Sequence, residues 1–313
     1  MRVERYTPAD RTIWDEFVGK SKNVTFLLQR GYMDYHADRF PDHSLMLYDE
    51  SGELVSLLPA TVKGDVLSSH AGLTYGGFVM TERTSGVDPL VWLDAVTGYC
   101  RSQGFSGLVY KPVPHIYHRI PADEDLYALF RNDAQLTVRN LATAIDMRRP
   151  VASSRLGKRA AKRQRRFGIS VEEVDDVNLF WQIIVDDRRV RHNTVPVHTA
   201  EELESLHAQF PSEIRFFIAR HEGEIVAGAV IYVCNDVLHL QYAACTPEGK
   251  AIYATDVIYH DIIFNRITDA AYFDFGTSNE DGGRYLNAGM VAHKEEFGGR
   301  SVIYDTYFLS FAK

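Results

Sequence analysis

Apolar residues along this chain come in short blocks whose spacing alternates between helical and strand-like, with polar or glycine-containing breaks between them. Thr7 and Pro8 precede Ile13, Trp14, Phe17 and Val18 at helical spacing, which predicts a capped first helix. Residues 44–48 and 54–59 flank the polar stretch 49–53, whose Gly52 suits a hairpin turn. Asp88 and Pro89 open a further helix carrying Trp92, Val96 and Tyr99 and ending at Gly104, and a strand over 108–110 follows.

The second half repeats that order. Residues 215–219 and 225–231 flank a turn at 221–224, a strand over 238–244 comes next, and a helix over about 255–268 leads to a strand over 272–275. Residues 53–58 (ELVSLL) and 224–229 (EIVAGA) each follow a glycine turn directly. Two copies of one α/β unit account for the echo, and two unrelated hairpins are the alternative. The expected division is 1–145 and 146–313, the second part opening with a helix over 155–167.

Composition narrows the class. With 313 residues, 45% hydrophobic and 24% charged, the chain has the make-up of a soluble globular protein with room for two domains of ~150 residues. No window reaches the ~18 uninterrupted apolar residues of a membrane span, and residues 1–6 lack a signal-peptide core, so a cytoplasmic protein is expected. The three cysteines, Cys100, Cys234 and Cys245, fall in apolar contexts and read as small hydrophobes, not as a disulfide framework or a metal site. A net charge of −8 disfavours a surface that tracks DNA as a whole.

An anion would have to be met locally, and residues 155–166 are the place, being free of acidic side chains. On a helix capped by Ser153 or Ser154 and ended by Gly168, Arg155, Lys158, Arg159, Lys162 and Arg166 form one basic side while Leu156, Ala160 and Phe167 stay apolar. Phosphate or diphosphate binding through Arg155, Lys158 and Arg159 is one reading, and a solvated or internally neutralised face is the other. In the first half, the glycine-rich stretch 68–78 places His70 and Tyr75 in a loop suited to lining a ligand, although a histidine beside a strand end is often structural.

The tail is the most specific region. An apolar strand end at Phe273, Asp274, Phe275 and Gly276 runs into polar residues 277–283, then Leu286, Asn287, Ala288 and Gly289, and closes with Lys294-Glu295-Glu296-Phe297-Gly298-Gly299. A buried strand opening on a polar loop is where side chains meet a ligand. This order resembles the C-terminal half of the FemAB-like branch of the GNAT acyltransferases. The resemblance implies a mixed α/β fold of two tandem GNAT-like domains forming a central groove. It also implies an acyltransferase that moves an acyl or aminoacyl group to an amine, on a cell-envelope precursor or nucleotide-linked sugar.

The family comparison assigns roles. Lysine in the K-x-x-F context is associated with the reaction centre, which implies Lys294 as the cation facing the developing oxyanion, an exposed surface lysine being the alternative. Apart from the resemblance, Asn279, Arg284 and Asn287 read as substrate-orienting groups of the polar loop, joined by Tyr242 of the second-half strand and Tyr253 beyond it, while Asp274 either braces the loop or acts as a base. The basic helix stands where the family holds a nucleotide diphosphate acceptor or a tRNA donor. In coenzyme-A-using relatives the turn at 246–251 carries a Gln or Arg and a glycine pair that grip pyrophosphate through backbone N–H groups. Here Gly249 and Ala251 match, but Thr246 replaces the polar residue, Pro247 lacks an amide and Glu248 is acidic. The donor is therefore acyl-CoA or aminoacyl-tRNA, with no metal.

An acetyl-CoA-dependent N-acetyltransferase acting on a small amine is the alternative enzyme. A non-catalytic module holding an anionic glycan or RNA is the alternative of another class. No G-x-S-x-G, H-E-x-x-H or Walker loop is present, so serine hydrolase, zinc protease and NTPase readings find no support. No activated Ser or Cys stands out, so direct attack by the amine is expected.

Overall fold

The computed structural model describes residues 1–149 and 155–311, with only the backbone of Arg155, Arg191 and His192. The capping positions Ser153 and Ser154 and the side chain of Arg155 lie outside the described residues. In chain order come β1 (Arg2–Arg5), α1 (Arg11–Gly19), α2 (Arg30–Met33), β2 (Leu45–Tyr48), β3 (Leu54–Leu58), β4 (Thr61–Lys63), β5 (Val66–Ser68), α3 (Asp88–Ser102), β6 (Gly107–Tyr110), α4 (Glu124–Arg131) and β7 (Gln135–Asp146). Then follow α5 (Arg155–Phe167), β8 (Ser170–Val174), α6 (Asn178–His192), α7 (Ala200–Gln209), β9 (Ile214–His221), β10 (Glu224–Cys234), β11 (Val237–Cys245), α8 (Pro247–Ile252), α9 (Ala254–Asp261), β12 (Tyr272–Thr277), β13 (Asn279–Glu280), β14 (Tyr285–Leu286), α10 (Ala288–Glu296) and β15 (Arg300–Ser310).

These elements form two compact units. The first holds Met1–Leu141, Asn279–Tyr285 and Ile303–Lys313, and the second holds Ala142–Ser278 and Leu286–Val302. The division is not contiguous in sequence. The chain returns to the first unit at its end because Tyr307, Phe308, Leu309 and Ser310 of β15 pair antiparallel with β6, burying Leu309 in the first core.

In the first unit β1, β2 and β3 make an antiparallel sheet. A separate set pairs β4 with β5 antiparallel, β5 with β6 in parallel, and β6 with β15. Leu47, Leu58, Leu67, Trp92, Val96 and Leu108 fill the core beneath α3. In α1 only Trp14 and Val18 are buried, while Ile13 is 50% exposed, so the apolar stripe there is narrower than its spacing predicts.

The second unit pairs β8, β9, β10 and β11 antiparallel, β11 with β12 in parallel, and β12 with β7 antiparallel. Its two faces are distinguishable from the alternation of β10. Ala227, Ala229 and Ile231 join Leu156 of α5 and Val257 and Ile258 of α9 in one core. Gly228 points the other way, where a Cβ would stand 2.1 Å from the Phe180 ring of α6. A bulge sits opposite the Val230/Ile231 step, with Val230 paired to Tyr242 and Ile231 to Leu240, so Gln241 is the extra residue. The helix expected over 255–268 is α9 followed by a π-helical turn, Ile262–Arg266. Cys100 and Cys234 are buried thiols, whereas Cys245 is half-buried. Among the described residues no helix is long and apolar enough to cross a membrane.

Candidate active site

Facing residues of paired strands share one side of a sheet, which fixes what meets on the α6 side of the second unit. Tyr232 pairs with His239, and His239 pairs with Asp274 across the parallel β11/β12 ladder. Owing to the bulge, Tyr242 joins the same side. The ladder between β11 and β12 covers only Val237, Leu238 and His239 against Tyr272, Phe273 and Asp274. Beyond these residues the two strands part, and the backbone at Gly276 turns to φ +70°, which favours glycine.

Polar side chains cluster at this fork. Asp274 is fully buried, its Oδ1 accepts from the Gly276 N–H at 2.8 Å, and its Oδ2 lies 3.0 Å from Nδ1 of His239. Lys294, on α10, is also buried and donates to the carbonyls of Gly276 (2.8 Å) and Thr277 (2.9 Å) and makes a third bond with Ser278 Oγ at 2.9 Å. All three of its donor positions are thus engaged by one loop. Burial pushes its ammonium down to about 8, partly opposed by the Asp274 charge. Asn287 caps α10, its Oδ1 accepting from the Met290 N–H, and its own N–H donates to the Ser278 carbonyl. On the same sheet side Tyr242 is buried with its hydroxyl 2.7 Å from His198 Nδ1 and its ring edge-on to Trp181, and burial raises its pKa.

The turn after β11 is occupied internally. Thr246 Oγ1 accepts from the Gly249 N–H, the Thr246 carbonyl accepts from the Lys250 N–H, and Pro247 has no N–H. Gly249 is required by packing, since a Cβ there would lie 2.1 Å from the Val226 carbonyl oxygen on β10. Its match to a pyrophosphate motif therefore has a local structural cause.

The basic helix α5 is present and ends at Gly168. Leu156 and Ala160 are buried while Lys158 and Arg159 are exposed. Arg159 approaches Glu296 at 3.5 Å, an exposed pair of small energetic weight. Arg163 turns inward instead. It bonds the buried Asp256 at 3.0 Å, covers the Tyr253 ring at 3.4 Å, and shares Asp256 with His293 at 3.0 Å. Tyr253 is a left-handed residue, φ +61°, between α8 and α9.

The remaining candidates belong to the first unit. His70 is 2% exposed with φ +62°, its ring packed on His36, and burial pushes it down to about 2. Tyr75 is also buried, its hydroxyl bonded to Thr25 Oγ1 at 2.9 Å and its ring against Tyr117. Asn279 braces the backbone, accepting from Leu141 N–H and donating to the Gly283 carbonyl. Arg284 is exposed. A surface pocket of about 650 Å³ in this unit is lined by Lys20, Asp49, Glu53, Arg83, Asp88 and apolar neighbours, and none of the candidates lines it.

Sequence reasoning missed His239 and Arg163. The available signal was a polar residue set within an apolar strand or helix face, which must find a partner.

Comparisons with known proteins agree with this architecture. Residues 151–285 match the family model described as an acetyltransferase (GNAT) domain. The fold is shared with FemX at 11% identity over 97% of each chain, with a TM-score of 0.68. It is shared too with the C-terminal domain of a protein assigned as a lysylphosphatidylglycerol synthetase from Agrobacterium fabrum, at 14% identity over 98% of this chain and 93% of that one, TM-score 0.63. A tandem GNAT protein from the clavulanic acid biosynthesis pathway aligns over 100% and 99% of the two chains at 10% identity, TM-score 0.53. No curated protein matches the sequence.

Proposed function

We propose, on the premise that this chain is an N-acyltransferase of the FemAB-like GNAT group, that it moves an aminoacyl or acyl group from an activated ester or thioester to the amine of a cell-envelope precursor or nucleotide-linked sugar. The observation that carries the reading is the fork between β11 and β12, where His239, Asp274 and Lys294 converge on strand ends that have stopped pairing. The charged groups beside the parting strands are of the kind a tetrahedral intermediate needs. Lys294 holds the loop 276–278 in place and lends positive charge to the fork. The amine attacks directly, because Ser278 is 3% exposed despite its bond to Lys294.

The occupied amides of the 246–251 turn favour aminoacyl-tRNA over coenzyme A as donor, since a diphosphate would find few N–H groups there. A tRNA donor also places the reaction in the cytoplasm. Exposed Lys158 and Arg159 on α5 give the anionic part of donor or acceptor a landing site. The second reading, an acetyl-CoA-dependent N-acetyltransferase on a small amine, draws on the acetyltransferase family model matched over 151–285.

A thermal-shift panel of coenzyme A, UDP-sugars and aminoacyl-tRNA tests both. Selective binding stabilises by ~2.7 kcal/mol at a hundredfold excess over Kd. Upward shifts with UDP-sugar and aminoacyl-tRNA, followed by transfer of labelled alanine from alanyl-tRNA, are expected. A shift with coenzyme A alone selects the second reading, and no shift with any ligand overturns both.

A further inference from the structure

We infer that His239 is the base that takes the proton from the acceptor amine, with Asp274 as its positioning residue; the inference rests on the acyl-transfer reading above. The two residues are register partners on adjacent parallel strands, at the last rung before β11 and β12 part. Asp274 is fully buried and both of its oxygens are used, one by the Gly276 N–H and one by His239 Nδ1 at 3.0 Å. A carboxylate can only accept, so Nδ1 carries the hydrogen and Nε2 carries the lone pair. The side chain of His239 is 14% exposed, in contrast to that of its partner, at 0%. A Cβ at Gly276 would stand 3.5 Å from Cε1, so the turn out of β12 runs beside the imidazole.

The chemistry requires such a group. An alkyl amine resembles lysine, with a pKa of ~10.4, and is mostly ammonium at neutral pH. The ammonium gives its first proton to Nε2 of His239, which releases it to solvent. The neutral nitrogen then forms a bond to the acyl carbon, the bond from that carbon to the leaving oxygen or sulfur breaks, and the nitrogen's second proton goes to the departing oxygen or sulfur, so no oxidant or further reactant is needed. Charged and titratable groups that share this side of the sheet or reach Asp274 include Tyr232 on β10, Tyr242 on β11, Arg188 on α6 over the Tyr242 ring, His198 before α7, and Lys294 on α10. Lys294 and Asp274 carry opposite charges, which leaves the imidazole to change its charge during turnover.

Two measurements on the full chain decide the matter. In the first, imidazole nitrogen NMR of the labelled wild type, with His239 assigned by the signal lost in His239→Asn, should report an Nδ1–H tautomer at neutral pH. An Nε2–H tautomer overturns the inference whatever the activity. In the second, transfer from alanyl-tRNA or acetyl-CoA is followed to n-propylamine and to hydroxylamine, which is already uncharged at neutral pH. His239→Asn keeps an N–H toward Asp274 but has no base, so its kcat should fall ~100-fold or more with propylamine and less than ~10-fold with hydroxylamine. Equal losses with both acceptors, in a variant that melts like the wild type, overturn the inference and leave the acyl-transfer reading standing. Absence of transfer by the wild type to either acceptor from either donor overturns that reading, and with it the role of His239.

Discussion

Lys294 Nζ lies 2.8 Å from the carbonyl oxygen of Gly276, the residue that turns the chain out of β12. With its bonds to Thr277 and Ser278, the lysine holds three consecutive residues of that turn. A side chain first read as a donor to an oxyanion is therefore also the clamp of the loop that would surround one.

Replacing Lys294 by Met should lower both stability and turnover. Each carbonyl left without its donor costs ~1–3 kcal/mol where it stays buried, and each kcal/mol moves Tm by about 2–4 °C in a unit of this size. Turnover should fall ~100-fold or more as the loop loosens and the positive charge is lost. Thermal denaturation alongside kcat is the check. An unchanged Tm with reduced kcat would make the lysine a transition-state donor without a clamping role, and normal values of both would remove it from the site.

The two classes of basic residue on α5 should separate cleanly. Lys158→Gln and Arg159→Gln alter exposed positions and should change stability by less than ~0.5 kcal/mol each, while weakening anion binding at low salt. Arg163→Gln leaves the buried Asp256 with His293 alone and should cost ~3 kcal/mol or more. Urea denaturation of the three variants, with a pyrophosphate titration of the first two, decides. Equal stability losses would contradict the inward orientation of Arg163.

Much of this was legible in the sequence. Leu156 and Ala160 at i and i+4 announce the buried side of α5, and the apolar runs around the turn 221–224 announce β9 and β10. Arg163 was not, because one positive residue among the seven of α5 carries no sign of which one turns inward. His239 was hidden for a different reason: its partner is 35 residues away on a parallel strand, and local sequence does not set the register between strands joined by a helix. The bulge at Gln241 compounds this, because simple alternation puts His239 and Tyr242 on opposite faces. At His70 the glycine-rich surroundings suggest an open loop, whereas the ring is buried against His36, beside which a Cβ at Gly72 would stand 2.4 Å from Nε2.

Acid should weaken the fold. Burial lowers the pKa of His36 to about 4 and that of His70 to about 2, and it lowers His43, His118 and His260 as well. Below the unfolded value of ~6.5 these groups take up protons in the unfolded chain but not in the folded one, so stability is lost as pH falls from 6.5 toward 4. Asp125, held up at about 7 by burial, works in the opposite sense, since the folded chain gains its proton first. Histidines outnumber it. The net loss should be about 1.4 kcal/mol per pH unit for each excess proton bound by the unfolded chain. A urea midpoint that does not fall between pH 7 and pH 5 would contradict the burial of these imidazoles.

Gly249→Ala tests whether the 246–251 turn is built for packing. With a Cβ 2.1 Å from the Val226 carbonyl, the substitution forces a backbone shift costing ~1–3 kcal/mol and should lower Tm whether or not a donor is present. A variant that melts normally yet loses affinity for coenzyme A would return the turn to the role of a diphosphate cradle.

The extra residue in β11 has an evolutionary consequence. With Gln241 bulged out, His239 and Tyr242 occupy one side of the sheet three positions apart, a spacing of ~10 Å along an extended strand that regular alternation forbids on a shared face. Loss of the codon for residue 241 would leave His239 and Tyr242 two positions apart, where plain alternation still keeps them on one side. Descendants of this chain can therefore drop residue 241 without turning either side chain round, and what they would lose is the local bend and added twist that the bulge gives the strand beside the fork.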